Sequence, residues 1–138
     1  ALAIGSASIV NSRLVERLGM RFLSNLALVL TALVSGAFLL MIWSWDGLPP
    51  FALFLGWLLI TFFGMGLLFG NLNALAMEPL GKMAGLGAAV VGSLSTVIAL
   101  PLAYAVGEVL VDSVTPLVIG FGSAAALTLL LSLWAGAD

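Results

Sequence analysis

The sequence predicts an all-α fold of polytopic transmembrane helices, and three observations carry that prediction. Of its 138 residues 63% are hydrophobic, and Lys plus Arg number only 4 and Asp plus Glu 6. A soluble domain carries roughly a quarter charged residues, so a chain at 7% could not keep a whole surface wet. Second, the charges divide the chain into long charge-free runs at 22–45, 47–77, 83–107 and 113–137, with a shorter one at 1–12. About 20 apolar residues in a helix span the hydrocarbon layer, and each long run reaches that length. Third, basic residues fall on alternate junctions: Arg13, Arg17 and Arg21 on the first, Lys82 on the third. Positive charge marks the cytoplasmic side, so a helix-by-helix weave leaves Asp138 inside.

Each element has its own signals, and together they make one partial transmembrane domain over 1–138. The lead of 12 residues starts at Ala1 and is too short to span. It is expected to be the lower end of a helix that opens in a longer chain. A span over 22–43 rises to Asp46-Gly47-Leu48-Pro49-Pro50, an outer turn, because Gly and consecutive Pro residues end helices. A span over 51–77 returns to the inner turn Glu78-Pro79-Leu80-Gly81-Lys82. The next, 84–106, contains Pro101, which removes one backbone bond and predicts a kink. Asp112-Ser113-Val114-Thr115-Pro116 is the second outer turn, with Pro116 suited to start the last span, 117–135. Trp43, Trp45 and Trp134 lie at span ends, where amphipathic rings favour the headgroup zone.

The helix faces differ in chemistry. Along 51–77, Trp57, Thr61, Gly64, Leu68, Asn71 and Glu78 share one face, and Gly66, Gly70, Asn73 and Met77 form another. An amide in hydrocarbon needs partners, so Asn71 and Asn73 either join helices or line a cavity. Two polar faces predict a central position for this helix and make Trp57, Thr61, Gly64, Asn71 and Asn73 candidates for a solute cavity. Along 84–106, Gly85, Ala89, Gly92, Thr96, Ala99 and Ala103 alternate steps of four and three and form a ridge of small residues. Such ridges let backbones approach closely in lipid, so Gly85, Ala89, Gly92, Thr96 and the kink at Pro101 are read as helix-packing positions. The spans 22–43 and 117–135 offer little beyond Ser, Thr and Gly and read as lipid-facing scaffold.

Several functions are excluded or disfavoured. Neither His nor Cys occurs, which removes thiol chemistry, disulfides and the usual zinc ligand sets; no metal or cofactor is expected. Four basic residues at a net charge of −2 leave no footprint for nucleic acid. No acid lies in mid-span, and no cluster of chemical groups suggests an enzyme.

Two stretches resemble a known family. Ser12-Arg13-Leu14-Val15-Glu16-Arg17-Leu18-Gly19-Met20-Arg21 resembles the degenerate second copy of the G-x-L-x-D-R-x-G-R-[KR] signature of the major facilitator superfamily. Leu14, Arg17, Gly19 and Arg21 match, whereas Ser12, Glu16 and Met20 depart from it. Gly70-Asn71-Leu72-Asn73-Ala74-Leu75-Ala76-Met77-Glu78-Pro79-Leu80-Gly81, continuing through Ala84-Gly85, resembles the tenth-helix end of Bcr/CflA-type drug-resistance transporters. That pattern reads Pro-Asn-x-Asn-Ala-x-Ala-x-x-Pro, with Gly70 here in the first place; Thr115-Pro116-Leu117 also resembles the entry to the family's last helix. The resemblance implies part of a C-terminal six-helix half, from the end of helix eight through helices nine to twelve. It implies a multi-pass protein of the bacterial inner membrane whose C-terminus is cytoplasmic. It further implies proton-coupled efflux of drugs or other small amphipathic molecules by alternating access. The proton-carrying acid would lie in the N-terminal half, which would be the chain's partner in the bilayer.

Glu16, Arg17, Gly19, Arg21 and Glu78 all belong to the predicted cytoplasmic edge and form a candidate gate, with Arg17 or Arg21 pairing with Glu78 in one state. The bland reading is a solvated cluster that sets orientation, since exposed pairs contribute only about 0–1 kcal/mol. Two other readings stay open. One is a free-standing dimeric four-helix exporter, disfavoured because no acid lies between Arg21 and Asp46. The other is an accessory or structural subunit of a larger membrane complex.

Overall fold

The computed structural model describes residues 2–109 and 113–135; Ala1, Asp112 and Asp138 lie outside the described residues. Helices follow one another as α1 (Leu2–Leu18), α2 (Met20–Ile42), α3 (Phe51–Met77), α4 (Ala84–Val109) and α5 (Thr115–Trp134). No strand occurs among the described residues. Three helical stretches are long and apolar enough to cross a membrane: Met20–Trp45, Phe51–Glu108 and Thr115–Trp134. The middle one, 58 residues long, is interrupted at Gly81, where φ 49° and ψ −116° leave the helical region. That break divides it into α3 and α4. At about 1.5 Å per residue, the 27 residues of α3 already exceed the hydrocarbon thickness, so the chain must turn back.

The first junction departs from the sequence expectation. Instead of ending near residue 12, α1 runs on through Arg13, Glu16 and Arg17 to Leu18. Arg and Glu are good helix formers, and their side chains lie exposed, so a polar junction did not require a loop. The corner is Gly19 alone, at φ 81°, a conformation that L side chains rarely adopt. Its N–H still donates to Val15 O and its carbonyl accepts from Leu23 N, so the backbone stays bonded through the bend.

Cross-chain contacts establish the weave. Asn25 near the start of α2 meets Ser132 near the end of α5. At the opposite end, Val114 N and Ser113 Oγ both donate to Gly47 O, at 3.1 and 3.2 Å. Hence α2 and α5 are antiparallel, and the two turns expected on one side are hydrogen-bonded to each other. Gly47 is buried with φ 84°, and a Cβ there would strike Ser113 Oγ. Ala7 against Gly66 and Asn11 against Asn71 make α1 and α3 parallel. Arg13, Arg17, Arg21 and Lys82 therefore gather at one end of the bundle.

The larger core cluster lies where α2, α3 and α5 meet, and a smaller one of Ala7, Ala27 and Leu67 joins α1 to α2 and α3. Trp57 stacks on Phe38 with centroids 5.4 Å apart and meets Phe121 edge-on at 5.9 Å; Ile42 and Val118 are buried beside it. This corrects the reading of 22–43 as lipid-facing scaffold. Ser24, Ala27, Thr31 and Ser35 are all buried, and they follow one another at helical steps of three and four. They form a small-residue groove that admits α3 and α5. Leu26, Leu30 and Leu33 on the other side stay exposed. In α5 the expectation holds better, with Leu127, Leu130, Leu131 and Leu133 exposed and only Val118 and Ala125 buried.

The paired glycines of α3 have unequal roles. A Cβ on Gly66 would lie 2.6 Å from Ala7 Cβ and 2.9 Å from Ile4 O, whereas one on Gly70 meets nothing within 4 Å. Gly66→Ala should therefore destabilise the bundle by about 1–3 kcal/mol through overpacking. Gly70→Ala should be neutral or stabilising by up to about 1 kcal/mol through helix propensity. Unfolding of the two variants in detergent checks this; equal effects would show that α1 does not lie tightly on α3.

Candidate functional site

Polar side chains inside the bundle are placed by the seams between helices. Asn71, only 3% exposed, forms a reciprocal amide pair with Asn11: each Nδ2 donates to the other's Oδ1, at 2.7 and 3.0 Å. Trp57 Nε1 donates to Ser35 Oγ at 3.2 Å, and Ser132 Oγ donates to Asn25 Oδ1 at 2.6 Å. A hydrocarbon surround supplies no alternative partner, so each pair fixes the register of two helices. Thr61 is fully buried, and among the described residues neither its Oγ1 nor Ser24 Oγ has a partner. Gly64 lies against Thr31, whose Oγ1 would be 2.7 Å from an added Cβ.

Of the five residues singled out for a cavity, four thus sit in packing seams. Trp57 and Gly64 belong to the α2–α3 contact, Thr61 is buried on the same face of α3, and Asn71 belongs to the α1–α3 contact. Asn73 alone reaches open space. It lines a half-open cleft of about 430 Å³ between α4 and the α2–α3–α5 body. Its Nδ2 donates to Phe69 O at 2.8 Å, which leaves a second N–H and the Oδ1 acceptor. Phe69, Met65, Leu68 and Phe121 supply apolar walls, and Thr31, Ser95 and Thr128 add hydroxyls. Among the described residues no ionisable side chain lines the cleft.

The small-residue ridge has no neighbour within the described residues. Gly85, Ala89, Gly92, Thr96 and Pro101 are all exposed, and a Cβ on Gly85 or Gly92 would meet nothing within 4 Å. Its hydroxyls are satisfied locally: Ser93 Oγ donates to Ala89 O and Thr96 Oγ1 to Gly92 O. Helix α4 continues through Pro101 without a break, although Pro leaves the Val97 carbonyl without its intrahelical donor. It touches the body near its ends, at Gly87 against Met77 and at Val106 against Gly120, and the cleft lies between those contacts.

At the basic end, Glu16, Arg17, Gly19, Arg21 and Glu78 are all exposed. Among the described residues no ion pair joins the acids to the guanidinium groups. No group of three or more metal-ligating side chains comes together among the described residues. Residues that the sequence reading passed over are Asn11, Asn25, Ser35 and Ser132. Asn11 precedes the Ser12–Arg21 stretch, and only the length of α1 shows that it lies at the level of Asn71. Comparison with family models, with curated proteins and with solved structures finds no match.

Two outcomes follow from the seams. In a double-mutant cycle, Asn11→Leu and Asn71→Leu should each destabilise, with a coupling of about 0.6–2 kcal/mol; additive losses would dissolve the pair. Thr61→Val removes an unpartnered hydroxyl and keeps the side-chain shape, so it should raise thermal stability, since an unsatisfied buried group costs about 1–3 kcal/mol. A fall in stability would mean that the hydroxyl is bonded after all.

Proposed function

We propose that this chain is part of the C-terminal half of a Bcr/CflA-type carrier of the major facilitator superfamily. In that role it exports drugs or other small amphipathic compounds in exchange for protons. The observation that carries the reading is the Asn11–Asn71 pair. It ties the helix bearing the first family-like stretch, 12–21, to the start of the second, 70–85, so the two motifs occupy one end of one bundle. With four basic residues at that end, the positive-inside rule makes it cytoplasmic in a bacterial inner membrane. The uncovered ridge on α4 is then the surface offered to the N-terminal half, where the proton-carrying acid resides. Alternating access follows from rocking of the two halves, with Glu16, Arg17, Arg21 and Glu78 exposed at the edge that opens and closes.

The same uncovered ridge favours a second reading, an accessory subunit packed against a larger membrane complex. Expression of the intact reading frame in a bacterial strain stripped of its own exporters separates the two. A carrier should raise drug resistance and expel a fluorescent dye, and a protonophore should abolish that efflux. Stable co-purification with an unrelated membrane protein, without efflux, would instead establish the subunit. In the carrier, Glu78→Arg should impair export, and Arg13→Glu, Arg17→Glu or Arg21→Glu should restore it. Absence of rescue by all three retires the gate and leaves the carrier reading to the efflux measurement.

A further inference from the structure

We propose that the cleft among α2, α3, α4 and α5 is a binding site for an uncharged, aromatic or otherwise apolar molecule that carries one hydrogen-bond donor, such as a phenol. The site lies within this chain and does not rest on the carrier reading. Its volume of about 430 Å³ falls in the range of small-molecule pockets, roughly 300–1,000 Å³. Each of the four helices contributes one polar side chain to it: Thr31, Asn73, Ser95 and Thr128. A gap meant only for acyl chains has no use for an amide with one bond made, because its remaining N–H and its carbonyl oxygen would face hydrocarbon unpaired. Four from four different helices make a ring of anchoring groups on an apolar wall, the pattern of a ligand pocket.

The state of those groups sets the ligand's chemistry. Asn73 Nδ2 gives one of its two N–H groups to Phe69 O and Thr128 Oγ1 donates to Ala124 O, so both side chains offer oxygen lone pairs and Asn73 keeps a second N–H. A ligand hydroxyl, which donates to those oxygens and can accept from the amide, is therefore the matching group. Phe69, Phe121 and Met65 supply ring edges and a thioether for an aromatic body. With no counter-charge on the lining, a permanent cation or anion would be desolvated without repayment.

The test uses the whole protein in phosphatidylcholine nanodiscs, with 1-naphthol as the probe and empty nanodiscs as background. Fluorescence titration should show saturable binding above that background. Naphthyltrimethylammonium, the charged counterpart, should not compete. Asn73→Leu should weaken binding roughly three- to tenfold by removing one hydrogen bond, and Ala124→Phe should abolish it by filling the cleft. Ser95→Cys, the one thiol in this stretch of a chain with Cys 0, should react with a maleimide and be protected by 1-naphthol. Its protection keeps the test decisive if Ala124→Phe fails to fold. Purely partitioning behaviour, equal competition by the cation, or unprotected Ser95→Cys overturns the proposal. So does a phospholipid that co-purifies with the wild type, is lost in Ala124→Phe and leaves no naphthol binding, since the cleft is then a lipid seat.

Discussion

Hydrocarbon cannot accept or donate a hydrogen bond, and the bundle is organised around that fact. Three seams of the four-helix body carry a polar tie between helices. Asn11 and Asn71 join α1 to α3, Trp57 and Ser35 join α3 to α2, and Ser132 and Asn25 join α5 to α2. Each contact is modest in energy, about 0.6–2 kcal/mol in lipid, yet a slip in register would leave two amides or an indole N–H facing acyl chains. The ties therefore select one arrangement among the many that greasy helices could adopt. Among the described residues helix α4 has no such tie, and its Ser93 and Thr96 hydroxyls return to its own backbone.

Close approach follows the same logic. The groove of Ser24, Ala27, Thr31 and Ser35 lets α3 reach α2, and Gly122 brings α5 to Ser35, where a Cβ would be 3.1 Å from the serine Cβ. Trp57 then fills the junction with its ring and satisfies its N–H in one placement. Along α4, small and large residues alike stay exposed, and Val91 and Ser95 line the gap. The contrast between a tightly keyed body and a loosely attached fourth span is what opens the cleft.

Much of the fold was legible beforehand, and the reasons are physical. Long charge-free runs and Pro- or Gly-bearing turns mark spans because lipid excludes charge and proline ends helices. The alternation of basic residues anticipated the weave that Gly47 and Ser113 now display. Two features escaped. Counting Asn, Trp and Thr on 51–77 located a polar face, but a polar face bonded to neighbours and one lining a chamber look alike in sequence. Only Asn73 faces open space. The groove on α2 carried the same small-residue signal as the ridge on α4, but its hydroxyls among leucines resembled filler. Which small stripe meets a partner depends on which helix is adjacent, and spacing along one helix holds no such information.

The single-residue joint at Gly19 has a consequence for how neighbours are allotted. Antiparallel helical hairpins are ordinarily closed by loops of about 2–5 residues; one glycine falls short of that reach. Helix α1 thus meets its sequence neighbour only around Ala7 and Ala27 and rests chiefly on α3 as a parallel companion. The flank it leaves vacant on α2 is taken by α5, the most distant segment in the chain. A longer linker would let α1 compete for that berth, so the shortness of one corner decides a pairing between elements some ninety residues apart.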